Sequence, residues 1–427
     1  MHTEEFNSSV NEDSRTKEEV RQRDEKSQLD SKFSILMVFV GLMVHFVIFG
    51  TIGSFGIYLA EYSKSEFKDQ PRSVLSLIGT VGPAIYAVCA VPSGILVSKL
   101  GHRGNIFSGA IILGVGLVIA SFSQQIWTLF IGQAVLLGVA VSLCFVPTVS
   151  IVPQWLNKYR GIGVGVCAAG SGVGGLVLAP LLQAIIDSLG WRWALRINGI
   201  IGTVILSICG ILLKARVPFK PPKNLIDWEI IKDPRFIAMW GMGACSCFAY
   251  WVPFFLMPLY CQYYGISAGT ASLIVGLTNG AAAIGRIATG KLSDKIGNIN
   301  TLIISNIICS LTFVVIWYFA TVTWSLIVFA VIFGIFSGAF FTNSALLAPQ
   351  LFGLEKLAQV NGLYYTCCAP GFLAGTVTAT AIVNAYTVGN YTNYLPLMFF
   401  LFGCYMSSVF CLILLRVQVT RVLVIKV

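Results

Sequence analysis

Twelve long apolar runs, spaced along most of the chain, decide what this sequence can fold into. A run of about 20 apolar residues is the length of α-helix that crosses the roughly 30 Å hydrocarbon core of a bilayer. Lipid offers the backbone no hydrogen-bond partner, and the runs are too long and too evenly apolar for barrel strands, so we predict helices. Only 11% of the residues are charged and the mean hydropathy is +0.81, which excludes an ordinary soluble domain.

The predicted fold is therefore an all-α membrane protein with twelve transmembrane helices. The predicted spans cover residues 33–59, 73–97, 104–123, 126–149, 161–187, 193–213, 237–263, 270–293, 299–320, 323–346, 358–385 and 393–416.

The sequence also contains an internal repeat with an offset of 196 residues. The segment GILVSKLG at 94–101 returns as GKLSDKIG at 290–297, and Pro-Gln at 153–154 returns at 349–350. Two apolar halves that share a short basic turn are typical of transporters built from repeated bundles. We predict one six-helix bundle over 33–214, a cytosolic linker over 215–236 and a second six-helix bundle over 237–417.

The basic residues predict that both termini lie in the cytosol. With that orientation, 22 of the 28 Lys and Arg residues fall in cytosolic segments, as the positive-inside rule requires. The net charge of +10 follows from this bias and indicates no nucleic-acid partner. Residues 1–32 are polar without periodicity and are predicted to form a disordered cytosolic tail, and residues 418–427 a second short tail.

Four stretches carry the most specific signature. They are GHR at 101–103, QWLNKYRG at 154–161 with the glycines that follow, DSLGWRW at 187–193, and GRI at 285–287 in the eighth span. They resemble the monocarboxylate transporter family of the major facilitator superfamily, in particular its fungal branch. The resemblance implies a two-bundle secondary transporter that moves small organic acids or related solutes by alternating access.

The sequence departs from that family at two places that concern energy coupling. Ser31-Lys32-Phe33 stands where members usually open the first span with Asp-Gly-Gly-aromatic-Gly-Trp, and Ala282 stands where proton-coupled members tend to carry an aspartate. No carboxylate is predicted deep in the membrane, so His45 is the one ordinary candidate for a proton site. The alternative is a packed histidine whose ring nitrogens are satisfied by a neighbouring helix.

Arg286 is the strongest candidate for substrate binding. A guanidinium keeps its charge, so inside a membrane it needs an anionic partner, a water-filled cavity or a ring of carbonyls. Because the chain offers no intramembrane carboxylate, the partner is predicted to be an anionic substrate held by the planar fork. The alternative is a structural arginine that reaches Asp294 or backbone carbonyls.

Three further groups of residues have predicted roles. The polar residues on spans eight, ten and eleven that could orient a solute, or equally join helices, are Asn279, Asn343, Asn361, Tyr364 and Tyr365. The residues of the two short gating loops are Gly94, Ser98, Gly101, Arg103, Gly290, Asp294 and Gly297. The glycines predicted to form a seam for close helix packing on span five are Gly161, Gly165, Gly170 and Gly174.

The leading functional hypothesis is a secondary transporter of a small, monocarboxylate-like organic anion. The alternatives are an exporter of a secondary metabolite, a facilitator of a vitamin-like solute and, with less support, a non-transporting nutrient sensor. No catalytic constellation, metal-ligand spacing or nucleotide site in a fitting context is present, so we predict no enzyme, cofactor or metal. The resemblance favours the plasma membrane over a vacuolar or other internal membrane, and a monomer, with an accessory subunit left open.

Overall fold

The computed structural model describes residues 29–62, 67–217, 227–388 and 391–419. Eleven helices in these ranges are long and apolar enough to cross a membrane, and one of them contains two spans because it turns at Gly101. The fold class of twelve transmembrane helices is therefore confirmed.

We number the spans in chain order: span 1 is Lys32–Tyr62, spans 2 and 3 share Val74–Ser121, span 4 is Ile126–Trp155, span 5 Arg160–Leu189, span 6 Trp191–Leu212, span 7 Pro234–Tyr263, span 8 Gly269–Ile296, span 9 Asn298–Trp317, span 10 Thr323–Phe352, span 11 Leu357–Ala385 and span 12 Leu395–Val419.

Single glycines make the two repeated turns. Gly101 has φ 73° and ψ 166°, with helical residues on both sides, and Gly297 has φ 92° and ψ 158° between the helices that end at Ile296 and begin at Asn298. Residues with a side chain rarely adopt a positive φ, which explains the glycine at both positions. The residues left between the predicted spans, 98–103 and 294–298, are thus helical except for these two glycines. We call the end of the molecule that carries these turns the glycine-turn end.

Each half of the chain forms one bundle. In the first bundle span 1 packs against span 5, and the helix of spans 2 and 3 packs against spans 4 and 6; in the second, span 7 packs against span 12 and span 8 against span 10. The bundles meet along two pairs of helices, spans 5 and 8 and spans 2 and 11. These pairs are equivalent under the repeat, and we call them the first seam and the second seam.

Several spans are interrupted near their middle. Their segments are Lys32–Gly53 and Phe55–Tyr62 in span 1, Pro234–Tyr250 and Val252–Tyr263 in span 7, Thr323–Ser337 and Ala339–Phe352 in span 10, and Leu357–Tyr365, Cys368–Pro370, Gly371–Gly375 and Thr376–Ala385 in span 11. Proline causes two of these breaks, because Pro253 and Pro370 cannot donate a backbone hydrogen bond. The break in span 11 includes a π-helical turn at Gly371–Gly375, a feature common at functional sites.

Some of the described segments outside the spans form regular structure. The predicted linker contains a short helix, Trp228–Lys232, and Asp233 then caps span 7. The guanidinium of Arg235 bonds the Asp233 carboxyl at 2.6 Å, which lowers the pKa of Asp233. Thr387–Val388 and Tyr391–Thr392 pair as two short antiparallel strands between spans 11 and 12. Most of both predicted tails, at 1–28 and 420–427, and part of the linker, at 218–226, lie outside the described residues.

Candidate solute site and bundle closure

Arg286 lies at the centre of the first seam, with a side chain that is only 8% exposed. Its Nη1 donates to the hydroxyl of Ser171 and, at 3.5 Å, to the carbonyl oxygen of Ala168, both on span 5. The Phe341 ring lies 5.6 Å from the guanidinium carbon. Among the residues that the structure describes, the buried Nε of Arg286 has no hydrogen-bond partner. The side chain therefore bridges the two bundles and still has an unused donor.

No acidic side chain of the described spans lies near the middle of a span to balance this charge. The acidic residues in those helices are Glu61, Asp187 and Asp294, and each lies in the last turn of its helix. Asp294 bonds span 5 rather than Arg286. The protein contacts of Arg286 are thus a carbonyl and a hydroxyl, as in the structural alternative, and neither group carries a full negative charge.

His45 lies on span 1 in the same central region. Its Nδ1 is 2.8 Å from the carbonyl oxygen of Gly41 and 3.4 Å from the thiol of Cys167. The rings of Phe49 and Phe145 lie 5.7 Å and 5.6 Å away. Arg286 is close enough for the two charges to interact when the imidazole is protonated. Both predicted ionisable residues therefore belong to one central site.

The five polar residues predicted to orient a solute differ in their hydrogen-bond partners. Tyr365 is fully buried against the Phe145 ring at 4.7 Å, and its hydroxyl has no partner. By contrast, the Tyr364 hydroxyl donates to Ser344, and Asn343 donates to the carbonyl of its own helix at Ala339.

The remaining two asparagines make different contacts. Asn361 donates at 3.0 Å to Ser150, across the bundle interface. Asn279 is exposed and donates to Val275 in its own helix. Of the five candidates, only Tyr365 joins His45 through the shared contact with Phe145.

Asp294 fastens the two bundles at the glycine-turn end. Its carboxylate accepts hydrogen bonds from the backbone N–H groups of Gly161 at 2.7 Å and Ile162 at 3.0 Å. These amides belong to the first turn of span 5, where backbone donors have no intrahelical acceptor. A negative charge there also complements the helix dipole. Asp294 therefore acts as an N-cap supplied by the other bundle.

Glycines allow the first seam to close. A side chain on Gly161 would meet the carbonyl oxygen of Gly290, and one on Gly290 would meet that of Gly161. One turn further along, Gly165 lies against the carbonyl of Arg286 in the same way. Backbones approach this closely only where small residues face each other.

The second seam repeats this arrangement without the charge. Gly94 lies against the carbonyl of Ala358, and Gly362 against that of Ala90. Ser98 occupies the position that corresponds to Asp294, as the repeat predicts. The other candidate of this loop, Arg103, is exposed.

Known proteins match this architecture. The profile of the Major Facilitator Superfamily matches residues 36–376. The chain belongs to this superfamily. It is 29% identical over 346 residues to the aspyridones efflux protein apdF of Emericella nidulans, covering 80% of this chain and 70% of that protein. It is 26% identical over 354 residues to the agnestins efflux protein AgnL12 of Paecilomyces divaricatus, covering 82% and 81%.

A solved structure of the superfamily supports the fold. The transporter FucP, crystallised in the outward conformation, superimposes with a TM-score of 0.69 over 89% of this chain and 98% of that one, at 15% identity. Major facilitator proteins carry small solutes across membranes, so this chain is a multi-pass membrane transporter rather than an enzyme.

The four glycines predicted to pack closely on span 5 of this transporter face two different helices. Gly161 and Gly165 face span 8, whereas Gly170 and Gly174 lie against the carbonyls of Leu42 and Phe46 on span 1. Gly170 is nine residues from Gly161, which is two and a half helical turns and hence the opposite face. The same spacing in the sequence predicts this split.

An aromatic lining surrounds the site. The sequence suggests its span 7 part, at Tyr250 and Trp251, but not the rings that come from the other spans. Its members come from spans 2, 4, 7, 10 and 11 and are Tyr86, Phe145, Tyr250, Trp251, Phe341 and Phe372. The chain contains 29 Phe, 15 Tyr and 9 Trp residues, so their identity alone selects none of them. The breaks after Tyr250 and near Pro370 are the signal that could have found two of these positions.

Proposed function

We propose that this protein exports a small, largely apolar metabolite that carries an anionic group, by alternating access between its two bundles. The observation that carries the proposal is the buried Arg286, whose Nε is unpartnered and whose charge has no central carboxylate to balance it in the described spans. A permanently charged planar fork beside aromatic rings suits a carboxylate attached to an apolar body.

The relatives support export rather than uptake. Two similar fungal proteins are named for the efflux of metabolites, aspyridones and agnestins. These names favour the secondary-metabolite exporter over a transporter of simple monocarboxylates. We retain the monocarboxylate branch as the proposed position of this chain, because the carboxylate-binding arginine that the resemblance implies is present at position 286.

The proposed orientation has the glycine-turn end and both termini in the cytosol, in the plasma membrane. The bias of 22 of 28 basic residues supports it. In this orientation Asp294 closes the cytosolic side. Asn279, two turns outward from Arg286 on span 8, is exposed and lies towards the extracellular side.

Metabolite profiling of the source organism tests the function. Deleting the gene should raise the intracellular-to-extracellular ratio of one or a few acidic metabolites, and the wild-type gene should restore it. Arg286→Lys retains the charge but loses the fork, so we expect its transport rate to fall at least about tenfold at equal abundance in the membrane.

A matched arginine provides the control. Arg196 on span 6 bonds Ser121 and stacks on Phe122, away from the site, so Arg196→Lys should restore the ratio as the wild type does. An unchanged metabolite ratio after deletion contradicts export. Full restoration by Arg286→Lys contradicts substrate binding by the guanidinium.

A further inference from the structure

Buried hydrogen-bond donors without acceptors cluster beside Arg286. The hydroxyls of Tyr86 and Tyr365 and the indole N–H of Trp251 are buried and have no partner among the described residues. Tyr86 is 1% exposed and Tyr365 is fully buried. Buried polar groups in folded proteins are nearly always hydrogen-bonded, and an unpaired one destabilises the structure. Three unpaired donors in one region therefore indicate a ligand that supplies the acceptors.

Ring contacts connect these donors across the interface between the bundles. Phe145 contacts Tyr365 at 4.7 Å and Tyr86 at 5.9 Å between ring centroids. Phe372 contacts Tyr86 at 5.8 Å and Trp251 at 5.6 Å. Tyr86 and Phe145 belong to the first bundle and the other three to the second, so the cluster changes shape whenever the bundles rock.

The protein itself offers these donors poor acceptors. The ionisable groups that interact with the Tyr86 hydroxyl are Tyr365 and the thiols of Cys247, Cys367 and Cys368, and none of them forms a hydrogen bond with it. Thiols are weak acceptors, and aromatic faces are weaker still. The three buried donors therefore lack a strong acceptor such as a carbonyl oxygen.

The cluster is continuous with the anion-binding arginine. Trp251 contacts Tyr250 at 5.2 Å, Tyr250 contacts Phe341 at 5.3 Å, and Phe341 lies 5.6 Å from Arg286. The path is lined by flat rings throughout, which favour stacking by a flat partner.

We propose that the donors of Tyr86, Tyr365 and Trp251 form a second subsite that selects substrates with a flat conjugated body bearing carbonyl oxygens. This rests on the proposed function, in which Arg286 binds the anionic group of the same molecule. The subsite binds aryl ketone or quinone acids more tightly than aromatic acids of equal size that lack carbonyls.

Two probes that differ only in this feature test the proposal. Anthraquinone-2-carboxylate carries two ring carbonyls, and anthracene-2-carboxylate has the same carboxylate and a similar flat shape without them. Dissociation constants are measured for the full chain in lipid nanodiscs, with empty nanodiscs subtracted. We expect the quinone acid to bind about tenfold tighter than the anthracene acid, because it satisfies at least two buried donors.

Tyrosine variants assign that preference to the subsite. Tyr365→Phe and Tyr86→Phe should each reduce the preference, and the double variant should bring the two dissociation constants to parity. Tyr364→Phe is the matched control, since its hydroxyl already bonds Ser344, and it should keep the preference. Without ligand, Tyr365→Phe should raise the Tm because it removes an unpaired buried hydroxyl, whereas Tyr364→Phe should lower it.

The outcomes separate this subsite from the proposed function. Equal binding of the two acids by the wild type, a preference that survives the double variant, or binding of neither acid overturns the subsite. Binding of both acids that Arg286→Gln leaves unchanged overturns the role of the arginine instead, whatever the quinone preference.

Discussion

At the scale of single residues, the repeat places a charged residue at one seam and an uncharged one at the other. Asp294 caps the first turn of span 5 through Gly161 and Ile162. Ser98, its counterpart in the first half, lies on span 2 near the start of span 11. The amides of Ala358 and Gln359 occupy the same positions in the first turn of span 11 as Gly161 and Ile162 do in span 5. The two seams therefore differ in how strongly they hold the glycine-turn end closed.

Asp294→Asn should loosen the first seam. The amide retains one acceptor oxygen but loses the charge that complements the helix dipole, at a cost of about 1 kcal/mol. We expect backbone amide hydrogen exchange at Gly161 and Ile162 to become roughly five times faster. Asp187→Asn is the control, because this carboxylate lies at the other end of span 5 and bonds Gln183.

Ser98→Asp should produce the opposite effect at the second seam. A carboxylate there would lie beside the free amides at the start of span 11 and slow hydrogen exchange at Ala358 and Gln359. The closed state at this end would be stabilised, and transport should slow because opening must break the added bonds. Faster exchange at these two amides would show that Ser98 does not face span 11 as Asp294 faces span 5.

At the scale of helices, the glycines of span 5 determine how closely the bundles approach. A methyl group at Gly165 would collide with the carbonyl of Arg286, whereas one at Gly175, on the same helix, would meet no atom within 4 Å. Gly165→Ala should therefore destabilise the closed state by about 1–3 kcal/mol, as overpacking does in other cores. Gly175→Ala should leave the Tm unchanged or slightly higher.

Thermal unfolding of the two variants in the same detergent measures this difference. A Gly165→Ala protein as stable as the wild type would mean that the first seam is looser in the membrane than in the structure described here. Transport by Gly165→Ala should fall with the population of the closed state, while Gly175→Ala should transport normally.

The sequence predicts the helices better than their contacts. The apolar runs identify all twelve spans because lipid leaves the backbone no other solution. The 196-residue repeat identifies Asp294 and Ser98 as counterparts, and helical spacing alone separates the two glycine faces of span 5. The sequence alone does not predict the full set of aromatic rings that surround Arg286. Tyr86 and Trp251 meet through Phe372 only after both bundles are packed, and nothing local distinguishes Tyr86 from the other aromatic residues.

At the scale of the whole molecule, the two seams close the glycine-turn end with different kinds of interaction. Asp294 and Arg286 both bond span 5 across the first seam. The second seam has glycine contacts, and Asn361 bonds Ser150 beside it. Opening this end must break the charge-assisted bonds of the first seam, and such bonds are about twice as strong as neutral ones. We infer that binding of an anion to Arg286, which competes with Ser171 for the guanidinium, favours this opening.

The energy source of the transport cycle depends on the ionisable groups at the centre of the molecule. Ala282 is packed against Gly338 of span 10, where proton-coupled relatives tend to carry an aspartate. His45, the remaining central candidate for a proton site in the described spans, is buried against the rings of Phe49 and Phe145 and lies near the fixed positive charge of Arg286. We therefore expect net flux to follow the substrate gradient with weak dependence on an imposed proton gradient. The assay is transport in proteoliposomes by the wild type and His45→Ala, with a solute whose charge is constant over the tested pH range. Such a solute excludes the case in which a protonated acid carries the proton itself. Both proteins should equilibrate the solute without accumulating it. Uphill accumulation by the wild type that is lost in His45→Ala would instead establish proton coupling through this histidine.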